Sequence, residues 1–242
     1  MKNNLLSKNQ FLHIKKLMQK KYRYQYQEFI IEGLHLIEEA IKYPKIIKYI
    51  ITSDKNFKHD NISIFITSYD NICKLSTTET PQPYIAICNF IQNNCLYKND
   101  FILLLDNISD PGNLGTIIRT AYSFGVKDII VKGVDIYNPK ILRATQGAIF
   151  NINIINNMNL DDAIIKLKND GFKIIGSLLK NSINYNNLKI NDQKLVLILG
   201  NESKGINQKL INLLDYKIYI PIKFESLNVA IACGILLSKY LK

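Results

Sequence analysis

Three stretches of the chain combine glycines with polar side chains able to hold and orient a reacting molecule. DNISDPGNLGTIIRTAYSFGV (residues 106–126) offers Asn113 and Arg119. LGNESKGI (199–206) carries Gly200, Asn201 and Glu202. IPIKFESLNVAIA (220–232) is the third. Each stretch begins where a run that reads as a strand ends. In an open parallel sheet the loops at the carboxyl ends of strands form the ligand crevice. Three loops distant in sequence can therefore converge on one pocket.

Several common chemistries are disfavoured. After the strand FILLLD, Gly112 and Gly115 give only G-x-x-G, which argues against an ordinary dinucleotide or methyl-donor fingerprint. GNESKGI has Walker-type glycine spacing, but Ile206 stands where the phosphate-binding Lys belongs. His13, His35 and His59 lack ligand spacing, so no metal is expected. No G-x-S-x-G elbow and no Cys/His couple suggests a covalent nucleophile.

The elements that must position these loops follow from periodicity. FILLLD (101–106) is a continuous apolar run of the kind buried on both faces of a parallel sheet. A turn at Asp110-Pro111-Gly112 leads to a helix over 114–124, with Gly125 at its C-terminal cap. Further strands are expected at 128–131, 173–177, 195–199 and 217–220, and helices at 160–169, 206–214 and 227–241. Alternating strand and helix implies an α/β fold with a mostly parallel sheet. Upstream, a helix is expected over 10–22, strands over 29–31, 46–52, 62–67 and 84–88, and a helix over 69–75. Residues 1–92 thus read as a small α/β unit, 93–100 as a linker and 101–242 as the second domain.

The 242 residues include 31 Lys plus Arg against 20 Asp plus Glu, a net charge of +11. That balance suits a polyanion such as nucleic acid, although a basic protein without such a partner has the same composition. Residues 1–92 carry net +5 and residues 93–242 net +6, so both halves could face one polyanion. Lys15, Lys16, Lys20 and Lys21 give the expected helix over 10–22 a cationic face, Arg23 follows directly, and Tyr22, Tyr24 and Tyr26 interleave with them. Such a face can contact phosphates and stack on bases, or simply be solvated. With 47% hydrophobic residues, the chain can build a core rather than remain disordered. The four cysteines form no C-x-x-C pair and read as reduced thiols. No apolar run is long enough to span a membrane, and no signal segment opens the sequence. A cytoplasmic location is therefore expected.

The three stretches, in this order, resemble the motifs of the SpoU (TrmH-like) RNA 2′-O-ribose methyltransferases of the SPOUT superfamily. RATQGAIF (143–150) resembles the same family. F-I-I-E-G (29–33) and TPQPYIAIC (80–88) are similar to the ribosomal-protein-like α/β domain that binds substrate in such enzymes. Two departures stand out: the third motif is short between Pro221 and Ser226 and lacks a customary glycine, and Ser203 replaces a frequent glycine.

The resemblance implies a C-terminal domain tied in a deep trefoil knot, S-adenosylmethionine as cofactor, and a homodimer paired through helices near the knot. The reaction implied is methyl transfer to a ribose 2′-hydroxyl of RNA, with a guanosine or uridine of 23S ribosomal RNA expected and transfer RNA as the alternative. An RNA-binding protein without activity and a base-nitrogen methyltransferase are the rival classes. Gly200, Asn201, Ile220, Pro221, Ser226 and Leu227 are implied at the cofactor. Arg119, Asn113, Glu202, Ser226 and Asn228 are implied in catalysis. Arg119 would meet the hydroxyl or an adjacent phosphate, Asn113 would orient Arg119 or the ribose, and Glu202 would pair with a cation or with backbone. Glu32 stands equally well as an RNA contact or as a structural cap.

Overall fold

The computed structural model describes residues 4–92, 99–156, 158–190 and 194–241. Of the expected linker at 93–100, residues 93–98, with Cys95, lie outside the described residues. The chain forms two compact units. One comprises residues 1–92 together with 135–150; the other comprises 93–134 and 151–242.

The first unit contains β1 (Asn4–Leu5), α1 (Lys8–Leu17), α2 (Lys20–Tyr26), β2 (Glu28–Glu32), α3 (Leu34–Ile41), β3 (Ile47–Thr52), β4 (Ser63–Ile66), α4 (Tyr69–Leu75) and β5 (Tyr84–Asn89). Its sheet runs β1-β4-β3-β5-β2. The β1–β4 and β4–β3 pairs are parallel, while β5 pairs antiparallel with β3 and β2. Ile14, Leu17, Ile30, Ile51, Ile72 and Leu75 are buried together between helices and sheet.

The single helix expected over 10–22 is two. Ser7 opens α1 with a reciprocal capping box to Gln10. Arg23 sets the break. Its guanidinium donates to the carbonyls of Leu17 and Met18, both at 2.8 Å, and pairs with Asp135. A cation on the last carbonyls of a helix satisfies groups that would otherwise lack partners. Arg23 is 3% exposed, so the phosphate contact expected of it is replaced by this structural role.

Residues 135–150 were expected with the second domain and instead pack in the first unit. Tyr137 stacks on Phe90 with ring centroids 3.9 Å apart, and its hydroxyl accepts from the Ile91 N–H at 3.0 Å. The segment contains α6 (Pro139–Thr145), an element the periodicity did not mark. From its last turn Arg143 donates to Thr77 Oγ1 at 2.5 Å and to Glu32 at 3.4 Å. Glu32 also accepts from the Ser76 hydroxyl and from the Thr77 N–H and hydroxyl. With its side chain 8% exposed, Glu32 ties loop 76–78 to α6, which favours the structural of its two readings.

The second unit contains β6 (Phe101–Asp106), α5 (Pro111–Ser123), β7 (Asp128–Lys132), β8 (Asn153–Asn156), α7 (Leu160–Asn169), β9 (Lys173–Ser177), β10 (Ile183–Asn184), β11 (Leu195–Gly200), α8 (Gln208–Ile211), β12 (Tyr216–Tyr219) and α9 (Val229–Tyr240). Its sheet order is β10-β12-β9-β11-β6-β7-β8, and every pair is parallel. Every residue of β6 is buried, as expected of a strand covered on both faces. Ile102, Leu104, Val196 and Ile198 pack with Ile164, Leu167 and Leu210 from α7 and α8. No described helix is long and apolar enough to cross a membrane.

Candidate functional site

Helix α5 begins three residues earlier than expected because DPGN is a helix start. Asp110 is the N-cap and accepts from the Asn113 N–H at 2.7 Å, while Pro111 occupies the first turn, where a missing N–H costs nothing. This start fixes Asn113 at the carboxyl end of β6. Glu202 lies at the end of β11, the strand beside β6. Its carboxylate accepts from the backbone N–H of Ser109 at 3.1 Å and of Asp110 at 3.3 Å, and from Asn113 Nδ2 at 3.0 Å. Asn113 Oδ1 in turn accepts from Asn228 Nδ2 at 2.8 Å. Asn228 caps α9, its Oδ1 accepting from Ala230 N at 2.9 Å. Residues of all three loops thus form one hydrogen-bonded chain.

Burial pushes the Glu202 carboxyl up, but the Asn113 carboxamide and the surrounding N–H groups overcome this and hold it below the usual carboxylate range. Glu202 is therefore an anion that organises the loops.

Beside this chain lies a cavity of about 760 Å³. Gly200, Asn201, Ile220, Ser226 and Leu227 line it, as does Glu202. Pro221 does not; its neighbour Ile222 takes that place. At Gly200 a Cβ would stand 2.2 Å from the Gly205 carbonyl carbon, so only glycine allows the turn to fold back this closely. The turn is closed by paired bonds, Asn201 N to Gly205 O at 3.0 Å and Gly205 N to Asn201 O at 2.9 Å. Leu199, Ile206, Ile211 and Val229 add apolar wall suited to a flat ring, next to polar backbone at the strand ends.

Arg119 stands apart. It follows Asn113 by six residues, which on an α-helix turns it about 120° away. Its side chain is exposed, has no partner among the described residues and does not line the cavity. Ser226 lines the cavity without a hydrogen bond among the described residues. On α9, Leu236 and Leu237 belong to the core, whereas Ile231 is 57% exposed. Cys233 is buried and its thiol is pushed up to about 12, so it offers no thiolate nucleophile. No metal-holding group of three His, Cys, Asp or Glu side chains occurs among the described residues.

In the first unit, Lys15, Lys16, Lys20 and Lys21 are exposed. Lys16 and Lys21 each lie 5.8 Å from the Tyr22 ring centre, and Lys20 lies 5.7 Å from that of Tyr24. Three of the five expected cations therefore interleave with tyrosines, Lys15 is exposed, and Arg23 is buried. Ser109 and Asp110, which the motif pattern did not single out, prove to be the backbone donors that hold Glu202.

Residues 100–238 match the model of the SpoU rRNA methylase family. The chain belongs to that family. Residues 8–86 of this SpoU protein match the MRM3-like substrate binding domain. It is similar to the 23S rRNA (guanosine(2553)-2′-O)-methyltransferase RlmP of Bacillus subtilis, at 38% identity over 92% of each chain. Among solved structures it resembles a putative RNA methyltransferase of the TrmH family from Porphyromonas gingivalis, with a TM-score of 0.87, 28% identity and 98% of each chain covered. It also resembles the AdoMet-bound rRNA methyltransferase of Sinorhizobium meliloti, with a TM-score of 0.83, 28% identity and 97% and 94% covered.

Proposed function

We propose that this SpoU protein transfers a methyl group from S-adenosylmethionine to a ribose 2′-hydroxyl of RNA, with a guanosine of 23S ribosomal RNA as the target. What carries the reading is the hydrogen-bonded chain Glu202–Asn113–Asn228 beside a cavity walled by Gly200, Ser226 and Leu227. The specific target follows the named activity of the Bacillus subtilis relative.

The cavity fits the cofactor by its size, by its apolar wall for an adenine ring and by its close glycine turn. Gly200, Asn201, Ile220, Ser226 and Leu227 would hold it. S-adenosylmethionine supplies an electrophilic methyl group when bound. The protein's share is to bring a ribose hydroxyl into line with that group, a proximity effect able to supply much of the rate. Asn113 and Asn228 hold the loops in register for this alignment, with Glu202 as their anchor. Arg119 serves as a cation on the phosphate and on the developing alkoxide.

The unit containing α1 and α2 would guide the RNA, with Lys15, Lys16, Lys20 and Lys21 on phosphates and the tyrosines on bases. We further propose the trefoil knot for the second unit. In its support, β12 pairs with β9 and β10, both earlier in the chain, next to the loops that carry the cavity. A homodimer through α5 and α9 would cover Ile231, Tyr122 and Phe124, which are otherwise exposed. Such an enzyme would work where its RNA is made, in the cytoplasm.

The test is transfer of a labelled methyl group from S-adenosylmethionine to purified 23S rRNA and, separately, to transfer RNA. Labelling of 23S rRNA is the expected result. Labelling of transfer RNA alone would move the target to the alternative substrate, and binding of RNA without labelling would leave a binding protein.

A further inference from the structure

A second cavity, of about 720 Å³, opens at the carboxyl ends of β6 and β7. It is floored by 106–109, flanked by Gly133 and Val134, and closed by the turn after Asn201. That turn also walls the cofactor cavity, so the two cavities are neighbours with one partition.

Two adjoining residues with positive φ make the room. Asn107 has φ 56° and Gly133 has φ 79°, directly after strands β6 and β7. Left-handed backbone is uncommon outside glycine, although Asn tolerates it better than most residues. At Gly133 a Cβ would lie 2.5 Å from Asn107 Oδ1, so the carboxamide can stand there only beside glycine.

The polar groups of this cavity divide cleanly into used and free. Asp106 is 3% exposed and both its oxygens are taken: Oδ1 accepts from Asn107 Nδ2 at 2.7 Å and Oδ2 from Asn207 N at 2.8 Å. The first of these bonds fixes the carboxamide orientation, leaving Asn107 Oδ1 as an acceptor without a partner among the described residues. Lys204 lies in the partition and lines both cavities; its backbone N–H donates to Asn201 Oδ1 at 3.0 Å. Its ammonium group has no partner among the described residues. The cavity thus offers a cationic donor in Lys204 and a neutral acceptor in Asn107, beside the Ser203 hydroxyl and the Asn207 amide nitrogen, and no uncommitted carboxylate.

We infer that this second cavity takes the target nucleobase, extruded from the RNA, and that Lys204 and Asn107 select guanine. The inference rests on the proposed RNA methyl transfer. A base in this cavity has its ribose at the partition shared with the cofactor cavity, as an enzyme acting on an extruded nucleotide requires. Guanine presents two adjacent acceptors, O6 and N7, to the ammonium group of Lys204. Its N1–H and N2 amino group can donate to Asn107 Oδ1. Adenine sets an amino donor beside N7, which a lysine ammonium group opposes.

The test uses the full-length protein with a 23S rRNA fragment. Methylation by the unaltered protein is mapped first; failure to label any RNA would remove the methyltransferase reading and this inference with it. Given labelling, the methyl group must lie on a guanosine, and a mapped adenosine would overturn the inference alone. Fragments carrying 7-deazaguanosine or adenosine at the mapped position should lose about tenfold or more in kcat/KM. Lys204→Met should lose a similar factor on the natural RNA, show no further loss with 7-deazaguanosine, and keep its affinity for S-adenosylmethionine. Lys204→Arg should restore most of the activity. Equal activity on all fragments, independent losses from the variant and the base analogue, or a parallel fall in cofactor affinity would each overturn the assignment.

Discussion

Asn228 donates to Asn113 at 2.8 Å although 115 residues separate them in the chain. Asn113 passes the connection on to Glu202 at 3.0 Å. One carboxamide therefore joins the three loops, accepting from one and donating to another. Asn113→Ala should lower kcat/KM by about 10²-fold, the range for removal of one positioned hydrogen-bond donor. Asn113→Asp should be at least as damaging, because it sets a second carboxylate against Glu202. Steady-state methylation kinetics check both; a fully active Asn113→Ala would remove the chain from the account.

Glu202 titrates in a definite direction. Its carboxyl lies below the ordinary value of 4.5, so the anion is favoured by folding. The stability it contributes is fully present above the ordinary value and is lost as pH falls through the lowered one. Unfolding midpoints of the unaltered protein and of Glu202→Gln should therefore differ at neutral pH and converge in strong acid. A difference that persists unchanged at pH 2 would contradict this role.

Arg119 has no side-chain partner among the described residues, so removing it should leave the fold and cofactor affinity intact. Arg119→Ala should abolish most methyl transfer. Arg119→Lys keeps a charge but loses the bidentate fork, and should retain a small part of the activity at every pH. Rates of both variants across pH at saturating cofactor decide the matter. A Lys variant that climbs to the unaltered rate at high pH would establish a general base instead.

The cations of α1 and α2 separate into two kinds. Replacing Lys15, Lys16, Lys20 and Lys21 by Gln should reduce the slope of log affinity against log salt by about 0.7–0.9 for each phosphate no longer neutralised. Arg23→Ala should instead destabilise the first unit by about 3–5 kcal/mol, since it leaves Asp135 buried without its partner. Salt titrations of RNA binding and thermal unfolding distinguish these outcomes. An unchanged salt slope in the Lys variants would return that face to solvent.

Five of the seven described strands of the second unit are legible because burial on both faces writes itself as continuous apolar runs, whereas β8 and β10 are too short and too polar at their ends to give that signal. FILLLD is expected and observed over the same residues, as is the helix over 160–169. Helix α6 went unmarked although Asn138-Pro139 is a good helix start, because RATQGAIF presents no clean 3.6-residue stripe. Arg23 could not be told from its neighbouring lysines, since its partner Asp135 is 112 residues away. The roles of Ser109 and Asp110 were hidden for another reason: they act through backbone N–H groups, which every residue but proline carries. Asn113, Glu202 and Asn228 are candidates through the resemblance of their loops to the SpoU motifs, while the bonds among them depend on how the strands order in the sheet.

The chemical position of the transferred methyl group separates ribose methylation from base methylation. RNA labelled from S-adenosylmethionine by the purified protein is digested completely and its nucleosides separated, with a parallel sample treated with alkali. Label is expected in 2′-O-methylguanosine and in an alkali-resistant dinucleotide, since a methylated 2′-oxygen cannot attack the neighbouring phosphate. Label on a base nitrogen or carbon, with every linkage cleaved by alkali, would contradict ribose methylation.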